Sequence, residues 1–155
     1  MIGNSTDAQR FVGKILPTGG ENLTMDNVKF AGPMNRAEVN ELLGKSIAGL
    51  CFHYHVKNYI DAIPTKMFEY FAAGIPCICS DIPILQGFID DTHAGICVPV
   101  RDVNALREAI VKLLTDRELA QEMGRNGRRA VEEKYNWDHE AEKLIDFYRI
   151  IEEDK

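Results

Sequence analysis

The sequence predicts an α/β domain, with one parallel sheet covered by helices on both faces. Three observations carry this. Short strand-like runs alternate with amphipathic helical stretches along most of the chain. The strand-like runs are apolar throughout instead of alternating, which is the pattern of strands buried on both sides. The chain has 155 residues, 45% hydrophobic and 27% charged, which suits one globular domain with its own core.

The elements follow in order. A helix is predicted over Thr6–Leu16, ended by the Gly19-Gly20 turn. The strand Val28-Lys29-Phe30-Ala31 closes at Gly32-Pro33. Asn35-Arg36-Ala37-Glu38 carries the cap-x-x-Glu signature of a helix start, and Val39, Leu42 and Leu43 form the apolar stripe behind it. A buried strand is predicted over Ile47–Phe52. After a polar loop, Pro64 is placed at the first helical position of a helix running to about Ala73, stopped by Gly74-Ile75-Pro76. Cys77-Ile78-Cys79 and Gly95–Val98 are the next strands. Asp102 caps a helix over Val103–Thr115, and Asp116 begins another reaching about Tyr135. Trp137, Ala141, Leu144, Tyr148 and Ile151 then recur at helical spacing in a closing helix of about 137–154. Core is the expected use of that stripe, with docking as the alternative. Met1-Ile2 is too short for a strand, yet turn residues and a helix follow at once. The chain therefore reads as a single domain that starts near the end of a strand, with its first strand missing.

Composition excludes several classes. The formal net charge is −6, which argues against nucleic acid as the main partner. No run approaches the ~18–20 apolar residues of a membrane span. Met1–Ser5 lacks the charged flank and apolar core of a signal peptide. Cys51, Cys77, Cys79 and Cys97 all sit in apolar runs without a C-x-x-C pair. They read as small buried hydrophobes of a reducing compartment, so a cytoplasmic location is expected. A metal is not expected. Cys77 and Cys79 have no matching ligand pair, and His53-Tyr54-His55 with Asp61 or His93 is more plainly a set of loop residues beside a cleft. Arg125, Arg128 and Arg129 read as a solvated helix face, with contact to anionic lipid as the alternative. The sequence offers Asp90-Asp91 no partner.

The segment Asp61-Ala62-Ile63-Pro64-Thr65-Lys66-Met67-Phe68-Glu69 carries the chemistry. In a parallel sheet, ligands bind beyond the carboxyl ends of the strands, where this helix begins. Ile63 has no side-chain acceptor, so the amides of Thr65, Lys66 and Met67 lack a local cap. Lys66 in the first turn also opposes the helix dipole. A bound anion repairs both faults, because free amides, dipole and ammonium together hold a phosphate. Amides capped by water, with Lys66 in solvent, remain the alternative. Glu69 lies one turn on, in a helix apolar almost all round, and a carboxylate there needs donors. A ribose diol beside a phosphate would supply them. An internal ion pair with Lys66 is the alternative.

The same segment resembles the donor-binding motif of the group 1 retaining glycosyltransferases, enzymes of GT-B fold with two Rossmann-like domains. The motif is an acidic residue, seven residues, then Glu, followed by a small-residue helix end and a Gly-x-Pro strand. Here it reads Asp61, seven residues, Glu69, then Ala72-Ala73-Gly74-Ile75-Pro76-Cys77-Ile78-Cys79-Ser80. Val28–Gly32, Ala94–Asp102 and Tyr135-Asn136-Trp137 resemble further stretches of the family in the right order. The resemblance implies a Rossmann-like domain forming the C-terminal half of a two-domain enzyme. It implies Glu69 on the ribose of a UDP- or GDP-type sugar donor, and Thr65 and Lys66 on its distal phosphate. Gly32 would stand beside the base, and Asp61 at the donor sugar where catalysis occurs. No cofactor or metal is implied. The partners implied are the nucleotide sugar and an N-terminal acceptor domain, with peripheral contact to the inner face of a membrane. This chain alone is then expected to be inactive. Two rivals stand beside this reading: a nucleotide-sugar epimerase of the same fold, and a non-catalytic donor-binding subunit of a split transferase.

Overall fold

The computed structural model describes residues 31–54 and 61–153. In chain order, these form α1 (Arg36–Gly44), β1 (Gly49–Cys51), α2 (Thr65–Ala72), β2 (Cys77–Ser80), α3 (Pro83–Thr92), β3 (Gly95–Val98), α4 (Val103–Thr115), α5 (Arg117–Glu133) and α6 (Trp137–Glu153). The helix expected over Thr6–Leu16 and residues Val28, Lys29 and Phe30 of the first expected strand lie outside the described residues. So does His55.

The three described strands form one parallel sheet in the order β1-β2-β3. Their register puts Cys51, Cys79 and Cys97 in a single row. Strand alternation then sorts the core into two layers. Cys51, Cys77 and Cys79 pack with Met67 and Phe71 of α2 and Leu85 and Ile89 of α3. Ile78 and Val98 face the other way, onto Leu106, Ala109 and Leu113 of α4 and Ala120 of α5. Helices therefore cover both faces, as the continuous apolar strands required. The arrangement is Rossmann-like. Full burial of Phe71 and Met67 contributes about 1.5–3 kcal/mol each.

The cysteines are packing residues. Cys79 Sγ lies 3.3 Å from Cys97 Sγ. Hydrogen bonds between neighbouring thiols, with burial, push the Cys77, Cys79 and Cys97 thiols well above the ordinary range, so all three stay protonated.

The helix ends show why the chain turns where it does. Asn35 and Glu38 complete a reciprocal capping box at α1. Asp102 and Asp116 cap α4 and α5 through the amides of Ala105 and Leu119. Asn136 accepts from the amide of His139 at the start of α6. In α5, Gly124 and Gly127 are buried against α2 and the turn after it. A Cβ on Gly124 would stand 2.1 Å from the carbonyl oxygen of Gly74, and one on Gly127 2.9 Å from the Phe71 ring. The missing side chains let the two helices touch.

Several expectations change. Pro64 is the N-cap of α2, not its first helical residue; its ψ of 121° is extended, outside the helical range. Its carbonyl accepts from Met67, so that amide is partnered within the chain. The strand expected over Ile47–Phe52 shortens to Gly49–Cys51, while Ser80 joins β2 by pairing with Val98. The stripe on α6 is not core. Trp137 is 71% exposed, and Leu144, Ile145, Phe147, Tyr148 and Ile150 are exposed too. Helical periodicity marks an apolar face but does not supply what covers it.

Candidate functional site

The carboxyl ends of the strands, where a parallel sheet offers a ligand its opening, are marked by His53 after β1 and Asp81 after β2. The backbone N–H of His53 donates to the buried Ser80 hydroxyl at 3.0 Å, which ties the chain leaving β1 to the end of β2. A cavity of about 290 Å³ opens here, lined by Leu50, Phe52, His53, Tyr54, Lys66 and Val100. Burial, and secondly the Lys66 ammonium, hold the His53 imidazole below its ordinary pKa. It is therefore neutral at pH 7. Lys66 is the cation of this cavity.

No side chain caps the start of α2, as expected. The same is true of α3, which starts at Ile82-Pro83. A missing cap is therefore a weak signal alone, and Lys66 beside a cavity is what distinguishes α2. Thr65 is exposed at the helix start. Asp61 is exposed in the loop before it and makes no hydrogen bond or ion pair among the described residues. Gly32 is exposed with a φ of +69°, a left-handed conformation that favours glycine at this bend before α1.

Glu69 differs most from expectation. The helix is not buried all round: only Met67 and Phe71 are fully enclosed, and the Glu69 side chain is 39% exposed. Its partner is not Lys66. Arg36 of α1 donates to Glu69 Oε1 at 2.7 Å. Arg36 and Glu69 share a cavity of about 520 Å³ with Asn40, Leu43, Phe68 and Ala72. Lys66 and Glu69, three residues apart on α2, thus open onto two different cavities. The reason is tertiary: α1 lies beside α2 on the Glu69 side, and β1 ends on the Lys66 side.

Other polar groups belong to the scaffold. The sequence offered Asp91 no partner, but it accepts from Lys134 at 2.8 Å and from the Tyr135 hydroxyl at 2.7 Å. Those bonds hold its carboxyl below the usual carboxylate range. Asp90 accepts from Gln86. The Tyr135 ring packs on Phe68 and Phe88 with centroids 5.5 and 5.3 Å away. Arg128 is more than a solvated charge, since it donates to the carbonyl of Ala72 at the end of α2. Ser80, at a strand end that the sequence marks for a ligand, ties down His53, whereas Arg36 is the contributor that the sequence reading passed over. Its trace in the sequence lies inside the α1 cap signature.

The pattern of the glycosyl transferases group 1 matches residues 17–130, most of the chain. The chain belongs to the group 1 glycosyltransferases. It is 29% identical over 126 residues to a GDP-mannose-dependent alpha-(1-6)-phosphatidylinositol monomannoside mannosyltransferase of Mycobacterium tuberculosis, covering 80% of this chain and 33% of that protein. It is 29% identical over 132 residues to O-antigen chain mannosyltransferase C of Escherichia coli, covering 84% of this chain and 35% of that one. Among solved structures, the sucrose-phosphate synthase of Thermosynechococcus elongatus superposes with a TM-score of 0.72 at 28% identity, covering 84% of this chain and 31% of that chain. The chain thus spans about a third of the length of each of these relatives. Its parallel sheet and its likeness to the synthase agree on a GT-B, Rossmann-like domain.

Proposed function

We propose that this chain is the donor-binding domain of a retaining glycosyltransferase that moves a glycosyl group from a nucleoside-diphosphate sugar to a sugar or lipid-linked acceptor. One observation carries the reading: in a group 1 chain, Lys66 stands at a cavity by the strand ends, with a half-exposed Glu69 one turn along. Residues three apart on a helix have Cβ atoms about 5–6 Å apart, so a nucleotide diphosphate that spans from the Lys66 cavity to the Glu69 cavity can reach both. The amides of Thr65 and Lys66, with the Lys66 ammonium, take the distal phosphate. Glu69 accepts from the ribose hydroxyls. Gly32 shapes the loop beside the base, and Asp61 meets the donor sugar. Catalysis then consists mainly of stabilising the charge on the departing diphosphate, work for amides and a lysine rather than for a covalent nucleophile.

GDP is the nucleotide to test first, since the Mycobacterium tuberculosis relative is named as GDP-mannose-dependent. The acceptor site is assigned to a further domain, and the exposed face of α6 is the surface offered to it. This chain alone then binds donor without transferring sugar. The buried thiols support a reducing, cytoplasmic setting, with the inner membrane face as the place of a lipid-linked acceptor.

The test is ligand-observed NMR of the chain with GDP, UDP, their sugars, guanosine and uridine. Binding of one diphosphate, lost in Glu69→Ala, supports the reading and names the base. A folded chain that binds none of them overturns it, and an interaction subunit becomes the better account.

A further inference from the structure

We infer that Arg36 is a positioning residue for the ribose-binding carboxylate, holding one Glu69 oxygen so that the other is aimed at the ribose. This rests on the donor-site reading above and adds a residue to it. Arg36 and Glu69 are 33 positions apart and meet only because α1 lies beside α2. Arg36 Nη1 engages Oε1 at 2.7 Å, and among the described residues Oε2 makes no hydrogen bond. Both side chains line the same cavity of about 520 Å³. The backbone of Arg36 is itself fixed, since the capping box of Asn35 and Glu38 closes over the first turn of α1. The guanidinium therefore approaches the carboxylate from an anchored point.

The pair is a poor stability element. Its side chains are 69% and 39% exposed, and exposed ion pairs contribute little to folding. What it does supply is direction. A glutamate side chain free in solvent samples several rotamers, and each ligand bond must then bear the ordering cost. With one oxygen held, the carboxylate is ordered before the ligand arrives, and Oε2 is left to accept from it.

The experiment measures affinity for GDP and UDP and for their 2′,3′-dideoxy counterparts, in the wild-type chain and in Arg36→Ala, Arg36→Lys, Glu69→Gln and Arg36→Ala/Glu69→Gln. Arg36→Ala is expected to weaken ribonucleotide binding about three- to fivefold. It leaves the dideoxy affinity and the melting temperature unchanged, and Arg36→Lys restores part of the loss. In the Glu69→Gln background the Arg36 effect shrinks, because the charge it acts through is gone. Equal losses for ribo- and dideoxynucleotides would overturn the inference, since Arg36 would then touch base or phosphate itself. No loss at all would overturn it too. If Glu69→Gln leaves the ribose preference intact, the donor-site reading has failed and the Arg36 role falls with it. A ribose preference that is lost in Glu69→Gln and kept in Arg36→Ala refutes Arg36 alone.

Discussion

Glu69, Lys66 and His53 each take their character from a neighbour that sequence spacing does not name. Glu69 meets Arg36, Lys66 meets the end of β1, and His53 is neutral because burial and Lys66 both disfavour its cation. Three measurements test these neighbours. Glu69→Ala should weaken nucleotide binding by about 1–3 kcal/mol, the range for losing a charged hydrogen-bond acceptor, as titration calorimetry would read. Lys66→Ala should cost more affinity for the diphosphate than for the nucleoside, because the nucleoside lacks the phosphate that the ammonium serves; equal losses would remove Lys66 from the phosphate site. The third concerns pH. A phosphate beside His53 favours the imidazolium, so binding raises the depressed pKa of this group. The complex then takes up a proton, and affinity for the diphosphate should rise as pH falls through the histidine range. An NMR titration of the His53 ring with and without GDP reads this directly, and an unmoved pKa places the phosphate elsewhere.

The elements owe their packing to small residues at a few close approaches. In a helix, Gly→Ala normally gains about 1 kcal/mol of propensity. At Gly124 the added Cβ would lie 2.1 Å from a backbone carbonyl that cannot rotate away. Overpacking of that kind costs about 1–3 kcal/mol and outweighs the gain. Gly124→Ala should therefore lower the urea midpoint at unchanged slope, with a net loss of up to about 2 kcal/mol. The order and type of the elements from α1 to α6 were legible except for α3, since capping chemistry and apolar periodicity are local and α3 starts at Ile82-Pro83 with no side-chain cap to announce it. The errors were local as well. Pro64 can open a helix or cap one, and the two roles differ only in its ψ. The shortened β1 reflects pairing, since an apolar run becomes strand only where a partner bonds it.

In the molecule as a whole, the face of α6 is an apolar surface that the core leaves uncovered. Trp137, Leu144, Phe147 and Tyr148 expose apolar surface on a helix that carries Asp138, Glu140, Glu142, Asp146, Glu152 and Glu153. Such acidity suits a protein surface better than an anionic membrane. Because these side chains contribute little to this domain's core, Trp137→Ser/Tyr148→Ser should leave the thermal midpoint within about 0.5 kcal/mol of wild type. The same variant should self-associate less in analytical ultracentrifugation, since an exposed apolar patch drives association. A marked loss of stability would show instead that α6 is structural in this chain.

The sequence by itself determined the α/β class, the parallel sheet and the family motif between Asp61 and Glu69. All of these depend on residues close together in the chain, where period, caps and turn chemistry act. The tertiary structure alone decided that Arg36 holds Glu69, that Tyr135 and Lys134 hold Asp91, and that Arg128 closes the end of α2. It also decided that the α6 stripe faces outward. Charged side chains are long and their partners interchangeable along a sequence. Only the placing of one helix beside another decides which donor lies within 3 Å of which oxygen.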